Sequence, residues 1–272
     1  MNELLTLADG LAMGESPRWH DGHLWLSDWG ARELLRIAPD GRPETIATVN
    51  AMPFCFDWLP DGTLLVMTGP GELLRGDALS PWADLRAISP HAWNEIAVHP
   101  AGHVFVNTIG FEFGGDPDPG AVACVDGDGH ARQVAGDLAF PNGMRLTPDG
   151  STLIVAESYA ARLTAYTVAA DGSLHDRRVW AQLREGAAPD GIWLDAQGAA
   201  WYGDVPNRCC VRVREGGEVL QTVSLDQGCF ACALGGADGR TLHMVCADWP
   251  GVMNEPERRS GRVLTTRVEV AG

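Results

Sequence analysis

The chain carries little positive charge: 20 Lys and Arg stand against 36 Asp and Glu over 272 residues, a net charge of −16. Nucleic acids and anionic membranes are bound through basic patches, so neither is an expected partner. Nor is any segment built for a membrane. The first residues, MNELLTLADGLAMGESPRW, lack a basic stretch followed by an apolar run of leader length. Nowhere do apolar residues run on for the roughly 18 positions that a spanning helix needs. Cysteine is scarce and odd in number, seven in all, at 55, 124, 209, 210, 229, 232 and 246. With no leader, that count points to reduced thiols and a cytoplasmic protein rather than a disulfide framework. Cys229 and Cys232 have the spacing of a metal or redox pair, but no second pair or His cluster completes it, and their flanks read as the start of a buried strand. The GxSxG signature of a serine-elbow hydrolase is missing. So are low-complexity tracts and any convincing helical periodicity.

What is present is an internal repeat. Six segments each join two short apolar strands through a tight turn ending in Gly: PRWHDGHLWLSD, FDWLPDGTLLVMT, IAVHPAGHVFVNT, MRLTPDGSTLIVAES, IWLDAQGAAWYGD and CALGGADGRTLHMVCAD. Their turn glycines are Gly22, Gly62, Gly102, Gly150, Gly198 and Gly239, separated by 40 to 48 residues. Such turns need the positive φ that Gly supplies. A more polar hairpin follows most copies, as in ELLRIAPDGRPETIA and CVRVREGGEVLQTV. Four strands per repeat of this length make a propeller blade, with the inner hairpin packed on both faces and the outer one half solvated. The expected fold is all-β, a six-bladed β-propeller of four antiparallel strands per blade, in one domain over residues 1–272. ELLTLAD near the start and VLTTRVEV near the end would complete one shared blade.

In a propeller, the residues just before each inner strand converge on the axis at one mouth. Inner strands are expected to begin near residues 16, 56, 95, 143, 191 and 232. Counting back eight from each turn glycine, with one residue less for the shorter first turn, gives Glu15, Phe54, Asn94, Asn142, Asp190 and Ala231. Pro141-Asn142-Gly143 and Pro189-Asp190-Gly191 repeat one tripeptide frame. Two carboxylates and two amides, without His or Cys, form a donor set for a hard divalent cation such as Ca²⁺, Mg²⁺ or Mn²⁺, and carboxylates also take Zn²⁺. Phe54, Trp93, Phe111, Phe113 and Trp249 fall near the same mouth and imply an apolar lining.

The motifs Gly14-Glu15-Ser16-Pro17-Arg18-Trp19, Trp93-Asn94-Glu95-Ile96-Ala97-Val98, Phe140-Pro141-Asn142-Gly143-Met144 and Pro189-Asp190-Gly191-Ile192 resemble those of the SMP30/gluconolactonase/LRE-like family of six-bladed propeller lactonases, across essentially the whole length. The resemblance implies one divalent cation bound by Glu15, Asn142 and Asp190, with Asn94 beside it contacting substrate or completing the shell. It also aligns Glu112, in the loop FEFGGDPDPG, with a substrate-contacting glutamate of the animal members. Those members have an arginine where this chain has Ala92, so the sequence departs from the sugar-lactone pattern and points to a less polar substrate. Trp93, Phe54 and Phe111 are expected to contact it.

The expected activity is metal-dependent opening of a lactone by activated water, with Asp190 both ligand and general base. The same site could serve another reaction, such as phosphotriester hydrolysis or a non-hydrolytic role. LWLSDW also resembles a strand of receptor propellers, which leaves a non-catalytic binding propeller as the alternative of a different class.

Overall fold

The structure is a computed structural model that describes residues 3–249 and 259–272. In chain order the strands are β1 (Leu5–Leu11), then β2 (Gly14–His20), β3 (His23–Asp28), β4 (Glu33–Ile37) and β5 (Pro43–Thr48). There follow β6 (Phe54–Trp58), β7 (Leu64–Thr68), β8 (Glu72–Arg75) and β9 (Ser80–Asp84), and then β10 (Trp93–Val98), β11 (Val104–Thr108), β12 (Gly120–Val125) and β13 (Ala131–Leu138). The fourth set is β14 (Pro141–Leu146), β15 (Thr152–Glu157), β16 (Arg162–Val168) and β17 (Leu174–Gln182). The fifth is β18 (Pro189–Leu194), β19 (Ala200–Asp204), β20 (Cys209–Val213) and β21 (Val219–Ser224). The chain ends with β22 (Gly228–Gly235), β23 (Thr241–Ala247) and β24 (Gly261–Arg267).

Among the described residues these strands make six four-stranded antiparallel sheets. The fold class is the expected one, a six-bladed β-propeller. Blades one to five are consecutive sets of four from β2 to β21, and blade six has the order β1-β24-β23-β22. The N-terminal strand thus pairs with the C-terminal one, from Leu5 opposite Thr265 to Leu11 opposite Gly261.

The six turn glycines all have positive φ, from 70° at Gly239 to 91° at Gly102, which an L side chain adopts only with strain. The strands follow the burial that their sequence prescribes. Every residue of β7, β11 and β19 is buried, while β5 and β21 have no buried residue. Apolar runs therefore sit between sheets, and the polar fourth strands meet water.

The chain divides into two compact units. Met1–Asn50 with Glu185–Gly272 holds blades one, five and six, and Ala51–Arg184 holds blades two, three and four. In the first unit, Ala8, Leu11, Leu24, Leu26, Ala233, Val245 and Val263 form one apolar cluster, and Trp201, Leu234, Leu242 and Met244 anchor another. Cys210, Cys229, Cys232 and Cys246 all lie in this second cluster. All seven cysteines are buried free thiols. Burial pushes the Cys210 thiol well above its ordinary value, which makes it an inert packing group. In the second unit, Leu65, Met67, Trp93, Ile96 and Val106 form one cluster, and Phe105, Met144, Leu153 and Val155 centre the other. Among the described residues no helix is long and apolar enough to cross a membrane.

Candidate functional site

Innermost strands begin at residues 14, 54, 93, 141, 189 and 228, two to four residues earlier than the repeat count implies. Five of the six innermost strands carry an extra residue near their start, relative to the strand they pair with. These bulges lie between Glu15 and Arg18, Trp93 and Glu95, Pro141 and Met144, Pro189 and Ile192, and Cys229 and Ala231. β6 has none. A bulge breaks the strict alternation of a strand and re-aims one side chain, which is why bulges collect at functional sites.

Pairing across each blade also fixes which residues are equivalent. Gly14, Phe54, Trp93, Pro141, Pro189 and Gly228 stand opposite Asp28, Thr68, Thr108, Glu157, Asp204 and Ala247, the last residues of the second strands. One position on, the equivalents are Glu15, Cys55, Asn94, Asn142, Asp190 and Cys229. Phe54 and Ala231, reached by counting from the turns, are therefore displaced from this position. Blade two lacks the bulge residue and blade six has a longer turn. The four oxygen-bearing residues keep their places.

In the first unit, Glu15 is 6% exposed and its Oε2 accepts the Ser16 N–H at 3.0 Å. Ser16 is in the left-handed region, φ 49°, which turns the chain sharply at the bulge. The Glu15 carbonyl accepts the Ser27 hydroxyl at 3.0 Å. Asp190 is half-buried at the matching place in β18. The following Gly191 is required by space: a Cβ there would stand 2.4 Å from the Ala231 Cβ and 2.8 Å from its Cα on the neighbouring β22.

In the second unit, Asn142 is fixed at three points. Its Oδ1 accepts from Asn94 Nδ2 at 3.1 Å, its Nδ2 donates to Ser158 Oγ at 3.4 Å, and its main-chain carbonyl accepts from Asn107 Nδ2 at 2.6 Å. Asn107 is wholly buried, so it is a rigid prop. Asn94 is 9% exposed and stands in direct contact with Asn142.

A model of the SMP-30/gluconolactonase/LRE-like region matches residues 13–248. The chain belongs to that family. It is 28% identical to 6-deoxy-6-sulfogluconolactonase of Pseudomonas putida, over 100% of this chain and 97% of the relative. Pentonolactonase XacC of Haloferax volcanii is 26% identical, over 92% of this chain and 87% of the relative. Among solved structures, a calcium-binding protein, regucalcin, from Agrobacterium tumefaciens superposes with a TM-score of 0.83 at 20% identity, covering 100% of this chain and 95% of that one.

The aromatic residues expected at this mouth differ in exposure. Phe54 and Trp93 are fully buried and Phe111 is 4% exposed, and Trp93 packs in the cluster of Leu65 and Met67. The aromatic surface on the second unit is instead Phe113, 42% exposed, and Tyr159, 55% exposed, packed around Phe140 at ring distances of 6.2 and 4.7 Å. Phe111 closes the group from beneath, 5.7 Å from Phe140. Phe140 and Tyr159 were not among the expected residues, although FPNGM placed Phe140 two residues from Asn142. Glu112 is exposed, with Oε1 3.8 Å from His91 Nδ1, one residue before Ala92. Trp249 packs edge-on against Phe230 at 5.7 Å.

Three of the buried carboxylates end second strands and were not expected from the sequence: Asp28 at 1% exposure, and Glu157 and Asp204 at 0%. Burial works to raise the Glu157 carboxyl. Hydrogen bonds from Arg162, the Ala139 N–H and Thr164 outweigh it and hold Glu157 below its ordinary value. Elsewhere Asp126, Asp128 and His130 place ligand atoms within 4.8 Å of one another, but in a largely exposed outer turn where Asp126 Oδ1 accepts the N–H groups of Asp128 and His130. This is an ordinary turn cap.

Proposed function

We propose that this chain is a divalent-metal-dependent lactonase that opens a cyclic ester with water. One observation carries the reading most directly. Glu15, Asn142 and Asp190 occupy one equivalent place, next to the first residue of a bulged innermost strand, on three blades of a family whose relatives include named lactonases. The donor set suits a hard cation: two carboxylates and an amide, with no imidazole or thiol. Asn142 Oδ1 uses one lone pair on Asn94 and retains a second. Glu15, Asn142 and Asp190 would hold the ion.

Such a cation supplies polarisation of the ester carbonyl and acidification of a water near neutral pH. Asp190 would accept a proton from the attacking water as the water oxygen bonds to the carbonyl carbon. The ring C–O bond then breaks, and Asp190 returns the proton to the departing alkoxide, leaving a hydroxy acid. Asn94 orients the substrate beside Asn142, and Glu112 stands on the following loop.

The substrate is a lactone less polar than a sugar lactone. Ala92 offers no charged group for hydroxyls, while Phe113, Tyr159 and Phe140 present aromatic surface on the unit that carries Asn142. Apolar surface discriminates by only about 1–3 kcal/mol per methylene, whereas a site built for hydroxyls rejects analogues that lack them far more strongly. Aliphatic and aryl lactones should therefore match or exceed gluconolactone in kcat/KM, after spontaneous hydrolysis is subtracted. A strong preference for the polyhydroxylated ring would refute this choice.

The reaction itself is tested by measuring metal content and following a panel of lactones and one phosphotriester by acid release, before and after chelation and with Ca²⁺, Mg²⁺, Mn²⁺ or Zn²⁺ restored. Lactone turnover that vanishes on chelation and returns with metal is the expected result. Turnover that survives complete metal removal defeats the metal requirement. A protein that binds metal but hydrolyses only the phosphotriester defeats the lactonase reading.

A further inference from the structure

We infer that Asp28, Glu157 and Asp204 are positioning residues for the proposed cation site, a reading that rests on the metal ligands named above. Each is the last residue of the second strand of its blade, directly opposite the first residue of the innermost strand. Each is buried to at least nine-tenths, at 1%, 0% and 0% exposure. Each accepts a main-chain N–H from the loop that leads into a ligand. Asp28 takes Ala12 N–H on Oδ2 at 2.9 Å and Met13 N–H on Oδ1 at 2.8 Å, three and two residues before Glu15. Glu157 Oε2 takes Ala139 N–H at 2.8 Å, three residues before Asn142. Asp204 Oδ1 takes Ala188 N–H at 3.3 Å, two residues before Asp190, and also the Asn207 side-chain amide at 2.9 Å.

The other three blades serve as internal controls. At the same register they carry Thr68, Thr108 and Ala247. Thr68 Oγ1 accepts the N–H of Glu72, the first residue of β8, at 3.0 Å, and Thr108 Oγ1 bonds Ser89 Oγ at 3.2 Å. Neither hydroxyl holds a loop in the manner of the carboxylates, and Ala247 has no polar side chain. The carboxylate thus occurs on the three blades that supply Glu15, Asn142 and Asp190. It is missing from the blade of Asn94, which the proposed reaction uses for substrate, although Asn94 shares the register of Asn142. A propensity for acidic residues at strand ends would not make this separation.

The physical reason follows from the bulge. Asn142 and Asp190 lie within bulges and have no ladder partner, and Glu15, opposite Ser27, is the last paired residue before one, so their backbone is fixed from the side. A carboxylate bonded to main-chain N–H groups gives a charge-assisted bond of about twice the usual strength. Water is excluded from these three, so the bonds are not weakened by competition. Glu157 is further locked by Arg162, whose Nε and Nη2 donate at 2.9 Å each. Partners that orient ligands in this way typically govern metal affinity by 10–100-fold.

The test uses the full chain, with Ca²⁺ and Mn²⁺ each titrated calorimetrically into metal-free protein. Asp28→Asn is the informative substitution, because an amide sets an NH₂ against at least one of the three N–H groups that Asp28 now accepts, those of Ala12, Met13 and Ala31. Its dissociation constant for the cation should rise by about 10–100-fold, while the circular dichroism of the metal-free protein stays unchanged. Amide exchange at Ala12 and Met13 should quicken. Glu157→Gln and Asp204→Asn should weaken binding in the same direction, and they replace Asp28→Asn if that variant does not fold. Thr68→Ala, at the equivalent register, should leave the affinity as it is. Wild-type affinity in all three acidic variants, with Asp190→Asn weakening binding, overturns the positioning role alone. If the wild-type protein binds neither cation, the proposed metal site falls and this role with it.

Discussion

Asp190 has two duties in the proposed reaction, and it is only half-buried at the start of its strand. Replacing it with Asn keeps the size and one oxygen donor but removes the base. The expected result is a fall in kcat of about 10²–10⁴-fold with weakened metal binding and an unchanged melting temperature of the metal-free protein. Full turnover and full metal content in that variant would show that another group is the base. A different residue, His243, contributes to acid lability. Burial pushes the His243 imidazole down from 6.5 to about 4, and backbone hydrogen bonds with Ala233 and Thr241 oppose this only in part. The ring stacks on Trp19 at 5.3 Å. The unfolded chain takes up a proton near the ordinary histidine value, whereas the folded chain resists until about pH 4. Stability is therefore undiminished above the unfolded value and falls as pH drops between the two, by up to about 3 kcal/mol. Urea unfolding of His243→Phe should show a shallower loss between pH 6.5 and 4 than the wild type. Equal slopes would assign the acid lability elsewhere.

Strands and turns were largely readable from the repeat, and the bulges were not. The inner hairpins were legible because continuous apolar runs flank a Gly that alone tolerates the turn φ. A bulge adds one residue without changing composition, so counting from the turns put Phe54 and Ala231 where pairing puts Cys55 and Cys229. The Pro-Asp-Gly frame was visible, but its glycine serves close packing rather than a positive φ. Gly191→Ala would drive a methyl to 2.4 Å from the Ala231 Cβ, so β18 and β22 must separate. Overpacking of this kind costs about 1–3 kcal/mol. Denaturant unfolding should register that loss. The double variant with Ala231→Gly should recover only part of it, because the Ala231 Cα also lies too close, at 2.8 Å. A Gly191→Ala protein as stable as the wild type would show that the strands adjust freely.

At the scale of the whole chain, blade six depends on its first strand. β1 gives Leu11 and Ala8 to the cluster of Leu24, Leu26 and Val263, and it supplies the outer partner of β24. Removing β1 takes away the burial of about one leucine, some 1.5–3 kcal/mol, and leaves a raw sheet edge. Calorimetry of the truncated chain should show a melting temperature lower by about 5 °C or more. An unaltered melting point would mean that β1 contributes no stability. The exposed edge should also favour aggregation, which light scattering would report.

The sequence by itself determined the six repeats, the turns that bound them, the blade shared by the two ends of the chain and the four oxygen-bearing residues at one register. These are local or periodic properties, written in glycine position and apolar pattern. The tertiary structure decided which neighbours hold those residues. Asp28 and Asp204 end two of the repeated segments and Glu157 is the last but one of a third, all in plain view, yet an acid at the end of a strand reads like any solvated charge. Only the pairing of second strand with innermost strand brings each one, buried, against the backbone N–H groups ahead of a candidate ligand. The same holds for the aromatics. Phe54, Trp93 and Phe111 could not be told from Phe113 and Tyr159 by type or spacing, because burial depends on what the neighbouring sheets cover.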